Sequence, residues 1–206
     1  MSCAAAGECS VVGAYEAAPS APGHAFITSE VHGTWHAATA VPGIVALDHG
    51  GSADLGSVSC TSPGNCSAGG GNSTSAGIGQ AFVVDEIHGI WHTAVTVPGI
   101  TGLNHGRAAI TGVSCVSPGN CSAGGQYQDT VGRTQVFAVN EVNGTWHHAI
   151  KVPGTVAVDQ YSVGGVAAVQ GSGVFRECHF VSYSRRWRRR ASAGVVWSRR
   201  PSGMCR

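Results

Sequence analysis

Val58-Ser59-Cys60-Thr61-Ser62-Pro63-Gly64-Asn65-Cys66-Ser67-Ala68-Gly69-Gly70 returns, with a single residue changed, as Val113-Ser114-Cys115-Val116-Ser117-Pro118-Gly119-Asn120-Cys121-Ser122-Ala123-Gly124-Gly125. A weaker copy opens the chain as Ser2-Cys3-Ala4-Ala5-Ala6-Gly7-Glu8-Cys9-Ser10. A second block follows each copy. It runs from Ala25-Phe26 to Gly33-Thr34-Trp35-His36, from Ala81-Phe82 to Gly89-Ile90-Trp91-His92, and from Val136-Phe137 to Gly144-Thr145-Trp146-His147. A third landmark closes each unit: Val41-Pro42-Gly43, Val97-Pro98-Gly99 and Val152-Pro153-Gly154. The tryptophans stand 56 and 55 residues apart, so three landmarks share one period. A fixed period of this size marks a repeat architecture in which each copy is one supersecondary unit. The units fall at residues 1–56, 57–111 and 112–165.

Within a unit the turn chemistry is explicit. Ser62-Pro63-Gly64-Asn65 presets φ at its second position through Pro and tolerates positive φ at its third through Gly. Cys60 and Cys66 flank that turn and face each other across a short hairpin. Gln80 to Glu86 and Ile90 to Val97 are rich in β-formers, with Ile87-His88-Gly89 between them; the third copy has Val142-Asn143-Gly144 there. Asn-Gly is a strong hairpin signal because both central residues of a type I′ turn need positive φ. Ala81 to Val84 is apolar on both faces, which predicts a strand covered on both sides. No stretch shows a capped 3.6-residue period. The reading is all-β: about four short strands per unit of about 55 residues, in an incomplete β-propeller-like array. Phe26, Phe82 and Phe137, with Trp35, Trp91 and Trp146, are predicted to fill the layers between units. Gly69-Gly70-Gly71 is read as a loop with no Lys-Ser/Thr after it, hence no phosphate cradle.

At these residues the chain resembles the Cys-containing repeats of large secreted proteins of actinobacteria, whose units are similar to Val-Ser-Cys … Gly-Asn-Cys … Gly-Gly … Gln-Ala-Phe-Val-Val … Gly-x-Trp … Val-Pro-Gly. The resemblance covers residues 2 to about 165. More distantly, the units are similar to sialidase-type and photosystem II assembly-factor-type propeller blades, which carry an Asp-box turn. Ser29-Glu30-Val31-His32-Gly33-Thr34-Trp35 and Asn140-Glu141-Val142-Asn143-Gly144-Thr145-Trp146 lack the box Asp, and their Gly-to-Trp gap is a residue shorter. No sialidase catalytic residue maps onto a numbered position here. The resemblance implies an extracellular or cell-surface parent protein.

The chemistry-bearing residues favour structural roles. Cys-x5-Cys does not match the short Cys-x-x-Cys knuckle of structural zinc, and each pair belongs to its own unit. One disulfide per unit is expected, Cys3 with Cys9, Cys60 with Cys66 and Cys115 with Cys121, which implies an oxidising compartment. Cys178 and Cys205 have no assigned partner. His36, His92 and His147 all follow the repeated Trp, and repetition at one structural position fits a surface or hydrogen-bonding role. His49 and His105 also correspond, with Gln160 in the third unit. Glu30, Glu86 and Glu141 precede the hairpin turn; turn stabilisation or solubility is the expected role, against a carboxylate pair for glycoside hydrolysis. No catalytic residue, cofactor or metal site is assigned.

The composition fits this picture for most of the chain. Of 206 residues 43% are hydrophobic, enough to build a core in one or two domains and to exclude wholesale disorder. Glycine is abundant, at 31 residues, without collagen's spacing. No apolar run reaches the roughly 18 residues of a membrane span, and the opening residues show no signal peptide. The net charge of +1 conceals a split. Residues 1–169 carry Arg107, Arg133 and Lys151 against ten acids, giving −7, while residues 170–206 carry nine Arg against Glu177, giving +8. A fourth Val-Ser-Cys is due near residue 170. Instead come Arg185-Arg186-Trp187-Arg188-Arg189-Arg190 and Trp197-Ser198-Arg199-Arg200. Residues 166–206 thus read as an Arg-rich, non-repeat tail, out of frame or disordered; a nucleic-acid or anionic-surface tail is the alternative. Three units are fewer than the roughly four blades of the smallest closed propellers, so a fragment of a larger propeller is expected.

The function expected from the sequence is a non-enzymatic repeat module for interaction or scaffolding, with a protein or glycan ligand and self-association through exposed sheet faces. A glycan-acting hydrolase and a nucleic-acid binder are the rivals; the acidic part of the chain gives no reason to expect nucleic acid.

Overall fold

The structure, a computed structural model, describes residues 1–74 and 77–154. The Arg-rich tail, Cys178, Cys205 and the end of the third unit lie outside the described residues. Fifteen strands and two short helices follow one another in a threefold pattern. The first unit holds β1 (Ser2–Ala5), β2 (Glu8–Glu16), β3 (Gly23–Val31), β4 (Thr34–Trp35) and β5 (Thr39–Ala40), then α1 (Ile44–Asp48). The second holds β6 (Ser52–Ser62), β7 (Asn65–Ser73), β8 (Gly79–Ile87), β9 (Ile90–Trp91) and β10 (Val95–Thr96), then α2 (Ile100–Leu103). The third holds β11 (Ala108–Ser117), β12 (Asn120–Gln128), β13 (Thr134–Val142), β14 (Thr145–Trp146) and β15 (Ile150–Lys151). Each unit is one antiparallel five-stranded sheet in which the last two strands both pair with the third.

The cysteine turn closes the first hairpin of each sheet. Cys3 pairs with Cys9, Cys60 with Cys66 and Cys115 with Cys121 in direct register. All three pairs are disulfide-bonded, with Cα–Cα separations of 3.9 to 4.0 Å. Gly64 and Gly119 both sit at φ +69. A side chain at Gly64 is blocked twice over, since an added Cβ would lie 2.7 Å from the backbone nitrogen of Gly89. That Gly89 N–H donates to the Gly64 carbonyl at 2.8 Å, tying the two turns of the sheet together.

The turn between the third and fourth strands has positive φ at both central residues in every unit: His32-Gly33, His88-Gly89 and Asn143-Gly144. The type I′ geometry read from Asn-Gly therefore also holds where His replaces Asn. Asn tolerates this region because its short side chain interacts locally with the backbone, and His does so less well. His88→Asn is expected to raise stability by about 0.5 kcal/mol, read as an upward shift of the urea midpoint at unchanged m-value.

Three expectations change at this level. The stretch after each turn is two short strands rather than one, because residues such as His92 to Ala94 leave the ladder between β9 and β10. Among the described residues there are two helices, each a single turn after Val-Pro-Gly, too short to produce a periodic sequence signal. Gly69-Gly70-Gly71 is not a loop: it lies in the buried central strand β7. The glycines are there because another sheet comes close. A Cβ on Gly69 would lie 2.7 Å from Ile110 and one on Gly71 2.8 Å from Ala109, both on the next sheet. Glycine inside a strand commonly marks such an approach.

The sheets pack face to face in chain order. The first lies against β6, and β11 lies against β6, β7 and β8. Two cores result, one per junction. Alternation along β8 serves both: Phe82 and Val84 belong to the core shared with the first sheet, Ala81 and Val83 to the one shared with the third. This is why Ala81 to Val84 is apolar on both faces; all four are at most 1% exposed.

Candidate functional site

The junctions between sheets collect almost every landmark of the repeat. The serine before the cysteine accepts a backbone N–H from the following unit: Ser2 Oγ from Cys60 and Ser59 Oγ from Cys115, each at 3.0 Å. The serine after the second cysteine reaches the next unit's disulfide. Ser10 Oγ lies 3.5 Å from Cys66 Sγ, and Ser67 Oγ 3.2 Å from Cys121 Sγ. The proline carbonyls of Val-Pro-Gly accept from the next unit too, Pro42 from Ala94 and Pro98 from Ala149, both at 2.8 Å. At the other end of the second junction, buried Asn104 joins two sheets. Its Nδ2 donates to the carbonyl of Gly79 at 2.7 Å, and its Oδ1 accepts from Gly106 at 3.2 Å and Gln128 at 3.3 Å.

Acids and indoles meet at the turn end of these junctions. Glu86 stands in register between Cys66 and Trp91, and Glu141 between Cys121 and Trp146. Both are buried, at 6% and 4% exposure. The expected role as solvated turn acids does not describe them. In each sheet the carboxylate lies under the neighbouring sheet, whereas Glu30 of the first sheet is only half-buried. Burial raises the pKa of Glu141 to about 7, with the Asp85 charge adding to the rise and the Ser67 hydroxyl opposing it. Burial raises Glu86 as well. Glu86 Oε2, Glu141 Oε2 and Asp85 Oδ1 are buried without a hydrogen-bond partner.

The two junctions differ at one position. In the second, the Trp146 indole Nε1–H donates to Asp85 Oδ2 at 2.9 Å. In the first, the residue corresponding to Asp85 is Ser29, whose Oγ lies 3.2 Å from Ser10 Oγ, and the Trp91 Nε1 has no partner. The cavity between the second and third sheets measures 240 Å³ and that between the first and second 490 Å³.

No protein-family model, curated protein or solved structure matches the chain. The site is therefore judged on its own geometry.

The aromatic positions named from the repeat are unequal. Phe82 and Phe137 are fully buried and Trp146 is 9% exposed, whereas Phe26 and Trp91 are half-buried and Trp35 is 47% exposed. Trp35 occupies, on the first sheet, the place where Trp91 and Trp146 reach toward a preceding sheet; among the described residues no sheet lies on that side. His36, His92 and His147 are exposed, and His49 and His105 are exposed as well. Among the described residues no group of three or more His, Cys, Asp or Glu is placed to hold a metal ion, and no helix is long and apolar enough to cross a membrane.

Sequence reasoning missed Asp85, Ser29, Asn104 and the serines flanking the cysteines. Aligning the copies column by column exposes the first two, because Ser29, Asp85 and Asn140 differ directly before an invariant Glu. Nothing in the sequence marks Asn104, which corresponds to Asp48.

The raised Glu141 sets a pH dependence. Its folded pKa lies above the ordinary 4.5, so the native state binds more protons between pH 4.5 and about 7. Stability then falls as pH rises through that window and levels off above it, by at most about 3 kcal/mol. Glu141→Gln removes this contribution. Subtracting its urea stability from that of the parent chain at each pH is expected to give a curve that declines from pH 4.5 and flattens near pH 7.5. A flat difference counts against the buried, Asp85-repelled carboxylate.

Proposed function

We propose that the chain is a non-enzymatic repeat module for interaction or scaffolding, belonging to a secreted or cell-surface protein, with its sheets arranged as propeller-like blades of a larger array. The observation that carries this reading is the use made of the repeated polar residues. The flanking serines, the Val-Pro-Gly carbonyls and Asp85 are spent on holding one sheet to the next, which is the economy of a scaffold. The three disulfides are consistent with an oxidising, extracellular setting. Its partner is a glycan or a protein.

One observation favours a second reading, a glycan-acting hydrolase. Glu141, held protonated up to about pH 7 beside Asp85, has the disposition of a general acid next to a carboxylate. The cavity there, at 240 Å³, falls below the roughly 300 Å³ where small-molecule sites begin. Labelled oligosaccharides incubated with the purified chain separate the two readings: no cleavage is expected, together with retention of glycan or protein ligands on the immobilised chain. Cleavage that disappears in Glu141→Gln overturns the non-enzymatic reading. The nucleic-acid reading rests on residues outside the described ones, and the acidic part of the chain gives it no support.

A further inference from the structure

The first junction differs from the second in a way that makes it a ligand site, and this inference deepens the interaction reading on which it rests. The substitution pattern supplies the contrast. Asp85 fills the second junction and satisfies the Trp146 indole. Ser29, whose oxygen reaches one atom less far, leaves the Trp91 N–H without an acceptor. On the same sheet, directly across the ladder from Trp91, Glu86, 6% exposed, keeps Oε2 without a donor. Two residues that line one cavity therefore carry a covered, unmet donor and a covered, unmet acceptor, each costly to bury alone.

We infer that the cavity between the first and second sheets binds a neutral, polyhydroxylated ligand, a single sugar residue of a glycan, through Trp91 Nε1, Glu86 and the imidazoles around them. Its 490 Å³ lies within the roughly 300–1,000 Å³ of small-molecule sites, whereas the 240 Å³ of the second junction falls below that range. The chemistry excludes simpler ligands. A metal ion or an ammonium donates or carries charge but accepts nothing, so the indole N–H stays unmet. A carboxylate or phosphate accepts from the indole but opposes Glu30 and Glu86, which line the same space. A hydroxyl does both at once, accepting from the indole while donating to the glutamate. Neighbouring hydroxyls of the same ring meet His32, His36 and His88, which also line the cavity.

Indole-resolved ¹⁵N NMR of the full chain tests this. The probes are methyl glucoside, methyl galactoside, methyl mannoside and N-acetylglucosamine, titrated singly. At least one is expected to move the Trp91 Nε1–H resonance saturably while that of Trp146, already bonded to Asp85, stays fixed. Ser29→Asp, which rebuilds the second junction's acceptor in the first, is expected to weaken binding by at least about tenfold, or roughly 1.4 kcal/mol. Glu86→Gln, retaining shape, is the second variant should the first fold poorly, and the same direction is expected. No shift with any probe means that the cavity holds water alone and overturns the inference. So does a shift that Ser29→Asp and Glu86→Gln both leave unchanged. Retention of another glycan or protein by the Ser29→Asp chain then shows that the interaction reading survives without this site; absence of all retention removes both.

Discussion

Reducing Cys3–Cys9, Cys60–Cys66 and Cys115–Cys121 together is expected to remove about 2 kcal/mol per bridge, roughly 6 kcal/mol in all. That is comparable to the whole stability of many domains, typically about 5–15 kcal/mol. The rings are small, so each bridge sits at the low end of the usual range; the number of bridges makes the effect large. The three are not expected to be equal. Cys66 and Cys121 are buried and touch a serine of the preceding unit. Cys9 belongs to the first sheet, which has a neighbour on one side among the described residues. Paired Cys→Ser variants should therefore cost least at Cys3/Cys9 and more at the other two. Urea unfolding with and without a phosphine reductant measures the sum, and the paired variants its division. An unchanged midpoint after complete reduction would sink the idea that the bridges stabilise the fold.

Asn104→Ala is expected to cost about 3 kcal/mol. The side chain donates to Gly79 in a buried place and accepts from Gly106 and Gln128 in a partly buried one. Truncation leaves the Gly106 N–H and the Gly79 carbonyl short of a partner, while the Gln128 N–H keeps the Arg107 carbonyl at 3.0 Å; each buried orphan costs about 1–3 kcal/mol. Asn104→Asp tells the mechanism apart from lost packing. It keeps volume and acceptors but turns a donor into a second carboxylate oxygen facing the Gly79 carbonyl. It is expected to be at least as damaging as Ala at neutral pH and to recover below the carboxyl pKa. Hydrogen exchange at Gly106 should accelerate in Asn104→Ala, which loses the acceptor, more than in Asn104→Asp, which keeps it, while amides of the first sheet should change little.

Much of the fold is legible in the sequence because its signals are local. Turn residues such as Pro63-Gly64 and Asn143-Gly144 report backbone geometry directly, and they bring Cys60 and Cys66 close, with a shift of register between Cys60 and Ser62 setting the two directly opposite. The apolar run at Ala81 to Val84 announces a strand with a neighbour on each face. What stayed hidden is what depends on the next unit. Gly69 looks like a loop residue until Ile110 is placed against it. Glu86 and Glu141 look like solvated turn acids until a sheet covers them. The serines beside the cysteines look like ordinary polar filler, yet they carry hydrogen bonds between units 56 residues apart in the chain. Single-unit reasoning cannot see an interaction whose other half lies one period away, although comparing the copies does flag Ser29 against Asp85.

Most of the junction bonds point one way. Each unit offers acceptors to the next, through the serine before its first cysteine, its Val-Pro-Gly carbonyl and Asp85, and the next unit meets them with N–H groups; the Gly23 and His105 N–H groups run the other way. Such a module has unlike, complementary ends, as a monomer in a head-to-tail polymer does. Two forward ends cannot mate, and neither can two backward ones, so orientation is enforced before any hydrophobic contact is counted. An in-frame duplication or deletion of one whole period rejoins a forward end to a backward end and leaves the junction chemistry intact. Copy number is thus free to drift by recombination while the register is not, and a single exchange such as Asp for Ser at one junction can give that copy a private task without disturbing the others.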